Sequence, residues 1–582
     1  MASRVRAAGL GVVLVLVVSA CATVPTGGAV QPGQAGAGGD RRNEPYIRLI
    51  PPSPQPGDSQ TTVVKGFLAA LASFEGDHRA ARAYLTPDQR RSWRPSRQVR
   101  VYDDAADFVV EPPTPYGGEG AQVDVSASQV AQINPNGRYD VSTLGDDLRE
   151  RFRLRKVGKE WRISEPPQIL MLSRRDVDRA YRPLNLYFFG SDMRSLVPDP
   201  VMVPVYARGD IAATLAEALL RGPTSWLAPA VRTAFPAGTR VAGVTSSATT
   251  ITVELTGTVS RASQDALSDM SAQLMWTLKQ LPEMQELKLL VNGEPVRVPG
   301  ADEEGVQDKG DWMVHDPNVL TSRAHTYYVR DGRLWYSENG EGKHAPGGLG
   351  EAAAGPISRP AVMLDEGRAA ALTPDGHGVL VADLTVGSRV SQPLFGGTYV
   401  SLSWDRFENL WVAERYGKGT RLWLLRGGGR PVEVPAPELR EVAVKELDVA
   451  RDGARLAIVH DSGRRSQIEI GRVVQAGGKT QAEGFFPLGS ELAEVTSLAW
   501  RDADQLAVLG QGSEGATQPY LVYVDGTRVQ GVSAAPGGEM AAIAAAPGQP
   551  LLSGVEDGHV WRTGDRLIWQ RLADGADPVY PG

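Results

Sequence analysis

The sequence is short of the residues on which several classes of protein depend. Among 582 residues there is a single cysteine, Cys21, so an intramolecular disulfide is excluded, and so is a site built on several thiolates. Lys and Arg number 61 against 68 Asp and Glu, which gives a net charge of −7, and no basic cluster stands out. Nucleic-acid binding needs a surplus of positive charge on one face. We therefore expect neither a disulfide framework nor a nucleic-acid partner.

Residues for catalysis or metal binding are also sparse. The seven histidines never stand at metal-ligand spacing, and the motifs H-E-x-x-H and G-x-S-x-G are absent. His377 and His559 lie beside turn glycines and are expected to be solvated loop residues. We expect no catalytic residue, no metal and no cofactor. Carboxylates brought together from distant parts of the chain leave no local signature, so a glycan hydrolase stays an open alternative.

Two short motifs resemble nucleotide-binding loops but stand in the wrong context. Gly510 to Gly515 match G-x-G-x-x-G, yet a strand-like stretch, 520–524, follows where that fingerprint needs a helix. Gly478-Lys479-Thr480 looks like the end of a phosphate-binding loop but lacks the leading glycine and the helix. We expect both to be turns.

A long hydrophobic run is missing too. Arg4 and Arg6 precede an apolar stretch, 9–20, of twelve residues, whereas a permanent transmembrane helix needs about 20. This pattern predicts a signal peptide over residues 1–20.

The end of that run resembles the lipobox of bacterial lipoproteins, since Val18-Ser19-Ala20-Cys21 has an aliphatic residue, two small residues and the cysteine. The resemblance implies a diacylglyceryl thioether on Cys21, cleavage after Ala20, acylation of the new N-terminus, and a lipid anchor on the extracytoplasmic face of the cell membrane. Two or more acyl chains anchor a protein stably. The alternative is an ordinary secretory signal with a chance cysteine.

A tether is expected over residues 21–58. Residues 25–40 contain eight Gly or Pro and no large apolar side chain, and 51–57 read PPSPQPG. Such a segment cannot bury enough surface to fold, and its proline-rich end is stiff and extended.

The first folded unit is expected over residues 59–175. Apolar residues from Val63 to Phe74 repeat with helical spacing, and Thr86 with Gln89 forms a candidate capping box. Alternating stretches at 122–126 and 152–163, the second with a turn at Gly158, indicate strands. Helices leading a curved sheet predict an α+β domain that resembles the NTF2-like folds.

The second unit is expected over residues 180–300, followed by a linker over 301–314. Its strands are expected at 184–189, 201–206 and 250–255, its helices at 211–220 and 263–281, and a type I′ turn at Asn292-Gly293. The order LYFF, VPV, LLRGP, FPAGT, ITVEL resembles the GerMN domain of spore-germination proteins, which is also α+β.

The third unit, 315–582, carries a degenerate repeat of a strand, a polar turn and a second strand. The turn anchors are Asp331, Asp375, Asp405, Asp452, Asp502 and Pro547, at intervals of 44, 30, 47, 50 and 45 residues. Blades of a β-propeller recur at about 40 to 50 residues, which predicts a propeller of about six blades. The interval of 30 is too short for a four-stranded blade. Trp411 and Trp561 are expected to pack between blades, although they could anchor a partner.

The order of lipobox, tether, α+β domain, GerMN domain and propeller is similar to the lipoprotein LpqB family of actinobacteria. The resemblance implies a non-enzymatic membrane lipoprotein that binds the extracellular part of the histidine kinase MtrB, paired with the regulator MtrA, and that affects envelope homeostasis and division. Two alternatives stay open. One is a module that binds peptidoglycan through the GerMN domain, and the other is an envelope hydrolase with its site in the propeller channel.

Overall fold

The structure is a computed structural model that describes residues 52–582, except 104–107, 143–146, 206–210, 321–323, 339, 352–354, 428, 464, 513–514 and 565–567. The predicted lipidation site, Cys21, and the cleavage site after Ala20 lie outside the described residues. Within them, no helix has the length and apolar character to cross a membrane.

The N-terminal domain, residues 52–180, combines helices with one curved sheet. Its order of strands is β7-β6-β4-β1-β8, and three short strands also pair with β4. The elements are α1 (Gln60–Leu71), α2 (Glu75–Arg82), α3 (Pro87–Ser92), β1 (Val99–Tyr102), β2 (Val109–Val110), β3 (Thr114–Tyr116), β4 (Gly120–Ile133), β5 (Tyr139–Val141), β6 (Asp147–Val157), β7 (Glu160–Glu165), β8 (Leu170–Ser173) and α4 (Arg174–Ala180).

Local sequence explains the start of this domain. Ser59 caps α1, because its hydroxyl accepts a hydrogen bond from the Thr62 amide. The predicted apolar stripe of α1, which includes Phe67, is buried against the sheet. The predicted capping box differs: Thr86 is the N-cap of α3, but its side chain makes no capping hydrogen bond. The β6–β7 hairpin turns at Gly158, which has a φ of 65° that favours glycine.

The middle domain, residues 181–315, has a two-stranded ribbon, a five-stranded sheet and two helices packed into one core. The strand pair β12 and β13 is parallel, with α6 as its crossover. The predicted turn at Asn292-Gly293 has both residues at positive φ. The elements are β9 (Tyr181–Phe189), β10 (Leu196–Pro204), α5 (Ile211–Arg221), β11 (Arg240–Ser247), β12 (Thr250–Thr256), α6 (Gln264–Leu278), β13 (Glu286–Val291), β14 (Glu294–Pro295) and β15 (Val306–Asp308).

The expectation that residues 301–314 form a linker is corrected by the structure. Strand β15 pairs with β13 inside the middle domain's sheet. Trp312 is buried in the domain's core, and its indole Nε1–H donates to Gln307 Oε1 at 2.9 Å. Trp276 Nε1–H in turn donates to the Trp312 carbonyl at 2.9 Å. The sequence does not indicate this strand, because three residues are too few to show an alternating pattern of polar and apolar side chains.

The propeller, from residue 324 onward, consists of six sheets of four strands, as predicted. Blade 1 contains β16 (Thr326–Arg330), β17 (Arg333–Glu338), β18 (Glu341–His344) and β39 (Ala576–Val579). Blade 2 contains β19 (Ser358–Val362), β20 (Arg368–Leu372), β21 (Gly378–Asp383) and β22 (Ser391–Phe395). Blade 3 contains β23 (Tyr399–Trp404), β24 (Asn409–Tyr416), β25 (Gly419–Arg426) and β26 (Val432–Val434). Blade 4 contains β27 (Val444–Val449), β28 (Arg455–Ser462), β29 (Arg465–Ala476) and β30 (Lys479–Leu488). Blade 5 contains β31 (Glu494–Asp502), β32 (Gln505–Gln511), β33 (Thr517–Tyr523) and β34 (Val529–Gly531). Blade 6 contains β35 (Met540–Ala544), β36 (Leu552–Val555), β37 (His559–Thr563) and β38 (Trp569–Asp574).

The ring closes with strands from both ends of this region. Strand β39 pairs with β16, so residues 576–579 supply the innermost strand of a blade whose other strands come from residues 326–344. This closure covers the edge that an open sheet would expose.

The predicted turn anchors lie in two different hairpins. We call the turn between the innermost and second strands the first turn, and that between the second and third strands the second turn. Asp405, Asp452, Asp502 and Pro547 lie at first turns, whereas Asp331 and Asp375 lie at second turns. The first turn of blade 2 contains Asp365 instead, and Asp365 precedes Asp405 by 40 residues. The interval of 30 residues is short because it runs from a second turn, at Asp375, to a first turn, at Asp405.

The turn aspartates share one structural role. In each case a carboxylate oxygen accepts a hydrogen bond from the backbone amide two residues later, at 2.8 to 3.0 Å. This Asx turn closes the hairpin without another side chain. The four residues are Asp365, Asp405, Asp452 and Asp502.

Candidate functional site

The propeller has two faces, which we name by their turns. The innermost strands all begin at the face that carries the second turns, the second-turn face, and all end at the first-turn face. The middle domain packs on the first-turn face. Asn185 Nδ2 donates to Asp504 Oδ2 at 3.1 Å, and Ala454 lies within the middle domain's hydrophobic core. The N-terminal domain reaches the outer edge of blade 4.

The three domains meet around Trp226 of the middle domain. Its indole Nε1–H donates to the Gly484 carbonyl of blade 4 at 2.5 Å, and its own carbonyl accepts from Arg472 at 2.6 Å. The Trp226 and Phe486 rings are edge to face, with centroids 4.9 Å apart. Arg138 of the N-terminal domain lies over both rings, at 5.1 and 4.4 Å. A cation–π contact joined to two hydrogen bonds fixes all three domains at one point.

Buried charges stabilise the same junction. Arg455 and Asp452 are at most 1% exposed and form an ion pair with 2.5 Å between Nη2 and Oδ2. Asp199 is also buried, and both its oxygens accept hydrogen bonds from Thr224, at 2.6 and 2.8 Å. Burial raises the pKa of Asp199 to about 6, although the bonds from Thr224 and the charge of Arg138 oppose that shift.

A channel along the propeller axis holds a cavity of about 170 Å³. Near its start the innermost strand of every blade carries a register break in its pairing with the second strand. Arg359 and Asp577 at the channel mouth have φ values of 44° and 46°, and the Arg359 amide donates to Asp577 Oδ2 at 2.9 Å. Bulges of this kind redirect side chains at the rim of a closed sheet.

Two carboxylates of β27 line the channel, and each is bonded to a neighbouring blade. Ser497 Oγ–H donates to Glu446 Oε1 at 3.2 Å. Asp448 accepts from Ser403 Oγ at 2.8 Å and from the Trp500 amide at 3.0 Å. Burial raises the pKa of Glu446 to about 8, and burial also raises the pKa of Asp448. These bonds connect blade 4 to blades 3 and 5, so both carboxylates have a structural task.

Residues 581–582 lie at the first-turn end of the channel. Arg451 Nη2–H donates to the carbonyls of Pro581 and Gly582 at 2.9 and 3.1 Å, and the Gly582 amide donates to the Val362 carbonyl at 2.9 Å. Among the described residues, no group of three or more His, Cys, Asp or Glu side chains is placed to hold a metal ion.

Neither glycine-rich motif precedes a helix, as predicted: Gly478 lies in the turn between β29 and β30, and Gly512 and Gly515 lie between β32 and β33. Residues 513–514 lie outside the described residues. His377 is an exposed turn residue whose Nδ1 lies 2.6 Å from the Gly397 carbonyl. His559 lies 3.0 Å from an oxygen of Asp574. Trp411 is 1% exposed and donates to Asp405 Oδ2 at 2.9 Å, which is the packing role. Trp561 also packs against a hydrophobic cluster.

The second-turn face carries an exposed patch on blades 2 and 3 that no sequence motif indicates. Phe395 is 75% exposed and Tyr416 is 54% exposed. The Arg421 guanidinium lies 3.2 Å from the centroid of the Tyr416 ring. Arg415 and Lys418, on the same hairpin as Tyr416, are exposed, and the Arg415 amide donates to the Thr398 carbonyl at 2.7 Å, just before β23. The blade 2–3 patch consists of Phe395, Arg415, Tyr416, Lys418 and Arg421.

Comparison with known proteins covers the whole chain. Residues 53–178 match the family "Lipoprotein LpqB, N-terminal domain", residues 185–297 match "Sporulation and spore germination", and residues 332–581 match "Lipoprotein LpqB beta-propeller domain". Lipoprotein LpqB of Thermobifida fusca is 41% identical over 100% of this chain and 99% of the relative. Lipoprotein LpqB of Streptomyces coelicolor is 32% identical over 100% of this chain and 98% of the relative. Lipoprotein LpqB of Mycobacterium tuberculosis is 26% identical over 97% of each. The chain therefore belongs to the Lipoprotein LpqB family.

Proposed function

We propose that this protein is a lipid-anchored accessory protein on the extracytoplasmic face of the membrane, and that its propeller binds the sensor part of a histidine kinase of the MtrB type. The observation that carries the binding role is the blade 2–3 patch. Exposed aromatic side chains next to arginine are the residues most enriched among the energetic centres of protein interfaces. The lipobox at Cys21 and membership in a lipoprotein family support the anchor.

The arrangement of domains supports the choice of face. The middle domain is packed on the first-turn face, and the N-terminal domain lies at the outer edge of blade 4. An exposed ion pair at that edge joins Arg174 of the N-terminal domain to Glu491 in the loop after β30, with 3.7 Å between the charged atoms. A rigid junction and a membrane anchor together raise the effective concentration of the second-turn face near membrane partners.

The charge of the patch favours an acidic partner segment. Arg415, Lys418 and Arg421 add three positive charges on the β24–β25 hairpin that carries Tyr416. The adjacent Glu414 is 9% exposed and accepts a hydrogen bond from Trp423 Nε1 at 2.8 Å, so it is engaged within blade 3. Complementary charge speeds association and rejects wrong partners.

In-cell photocrosslinking tests the proposal. A photoreactive residue replaces Lys418 in the patch in one strain, and in a second strain it replaces Val386, which is 87% exposed on the first-turn side. We expect a sensor kinase ectodomain to be captured from position 418 and not from 386. Capture of wall fragments alone from position 418 would support the peptidoglycan alternative and overturn the kinase proposal.

The anchor is tested separately. Cys21→Ala removes the only thiol that can carry the lipid, so the variant should leave the membrane fraction and signalling should weaken. Fractionation of cells measures this. Normal membrane retention of Cys21→Ala would contradict the anchor.

A further inference from the structure

A second cavity lies between the N-terminal and middle domains, away from the propeller channel and from the blade 2–3 patch. It measures about 440 Å³, within the usual range of small-molecule sites. One wall comes from the loops at 94–97 and 133–137 of the N-terminal domain. The other wall comes from β10 and the last two turns of α5 in the middle domain.

The rim of this cleft is positively charged. Arg94, Arg97 and Arg221 line it, and Glu217 is the acidic residue of the second wall. Within the described part of the chain, neither Arg97 nor Arg221 is in an ion pair. Partial burial of Arg221 and the like charge of Arg97 lower the pKa of Arg221, with Glu217 opposing that shift. Two guanidiniums that repel each other across a cleft gain most from an anion placed between them.

Other charged groups around the cleft are already engaged. Asp77 forms an ion pair with Arg82 at 2.6 Å. Arg94 Nη1–H donates to the carbonyls of Arg91 and Trp93 at 2.8 and 3.0 Å, which fixes its guanidinium at the rim. The rim therefore has an excess of positive charge held in place by the loop that carries it.

Apolar and aromatic side chains form part of the lining, which we call the floor of the cleft; they include Phe74, Tyr181 and Met202. Phe74 packs edge to face on Tyr181 and on His78, at 5.4 and 5.2 Å between centroids. His78, which also lines the cleft, is 8% exposed. A charged rim above an apolar floor is suited to an amphipathic ligand.

We propose that this cleft binds a ligand with a phosphate group and an apolar body, of the kind found in anionic phospholipids. Arginine forks match phosphate oxygens, and three guanidiniums offer more donors than a single carboxylate accepts. The N-terminal domain directly follows the predicted membrane tether, so lipid is the source at hand. This inference is independent of the proposed kinase partner.

Titration calorimetry on the full chain, made as Cys21→Ser so that it is purified without acyl chains, tests the proposal. Dihexanoyl phosphatidylglycerol should bind, and the double variant R97Q/R221Q should weaken binding at least ten-fold. The matched control R240Q/R261Q removes two exposed arginines outside the cleft and should bind as the parent does. Both pairs are exposed, so melting curves should match the parent.

Two further titrations show which parts of the phospholipid the cleft recognises. Dihexanoyl phosphatidylcholine, which is zwitterionic, and inorganic phosphate, which lacks the apolar body, should each bind at least ten-fold more weakly. Equal binding of phosphatidylcholine would show that the charge is not recognised, and equal binding of inorganic phosphate would show that the floor is not used. Either result, an absence of phosphatidylglycerol binding, or an equal loss in R240Q/R261Q overturns the proposal.

Discussion

The first-turn and second-turn faces of the propeller come from one repeat, but they differ in what their turns contact. On the first-turn face, Asp452 and Arg455 are paired and buried, and Ala454 enters the middle domain's core. On the second-turn face, Phe395 and Tyr416 remain 75% and 54% exposed. The same hairpin geometry thus supports a permanent internal interface on one side and an exposed aromatic surface on the other. Stability should depend on the first face and partner binding on the second.

The largest expected effect comes from breaking the buried pair at the first turn of blade 4. Asp452→Ala leaves the Arg455 guanidinium, fully buried, without its counter-charge, and should lower the free energy of unfolding by about 3–5 kcal/mol. Chemical denaturation followed by tryptophan fluorescence measures this. The double variant D452L/R455M removes both charges and should recover most of the loss. A single variant as stable as the parent would contradict the assigned role.

A smaller effect is expected at the three-domain junction. Trp226→Ala removes the hydrogen bond to Gly484 and the contacts with Arg138 and Phe486. Because Trp226 is only partly buried, we expect a loss of about 2 kcal/mol, together with faster proteolysis between the domains. Limited proteolysis compared with Phe395→Ala checks this. Equal protease resistance in the two variants would show that Trp226 does not hold the domains together.

Much of this architecture could be predicted from the sequence, because helices, strands and turns are encoded locally. The Asp-containing turns predicted a propeller of about six blades, and the order of helix and strand patterns predicted both α+β domains. Asp365 does not serve as an anchor in the sequence pattern because the Asp375-Gly376 turn of the next hairpin in the same blade takes its place, and this shifts the apparent period.

The junction and the cleft could not be predicted, since they depend on contacts between residues far apart in the chain. Arg138, Trp226 and Phe486 come from three domains and share no motif. The same holds for Arg97 and Arg221. The exposure of Phe395 and Tyr416 could not be predicted from a propeller sequence, in which aromatic residues more often pack between blades, as Trp411 does.

Glu446, in the channel that runs between the two faces, should make the stability of the propeller depend on pH. The pKa of Glu446 is raised to about 8, against about 4.3 in an unfolded chain. The folded state therefore binds the extra proton between these values, so this group's contribution to stability falls as pH rises from about 4.3 to 8. Glu446→Gln keeps an acceptor for Ser497 but cannot ionise. Its melting temperature should gain on the parent's as pH rises from 6 to 8, in differential scanning calorimetry. A constant difference across that range would contradict the raised pKa.

The smallest effect on stability is expected on the second-turn face. The double variant F395A/Y416A removes two exposed rings, and each change should alter the free energy of unfolding by no more than about 0.5 kcal/mol. Chemical denaturation checks this. A loss as large as that of Trp226→Ala would show that the patch is part of the fold rather than a free surface.

The central claim is that the blade 2–3 patch is the partner-binding surface. The most direct measurement is the affinity of the full chain for the captured sensor ectodomain, compared among the parent, F395A/Y416A and the control Val386→Ala. The account predicts at least a ten-fold loss in F395A/Y416A and parental affinity in Val386→Ala. Parental affinity in F395A/Y416A would contradict it and would place the partner elsewhere on the molecule.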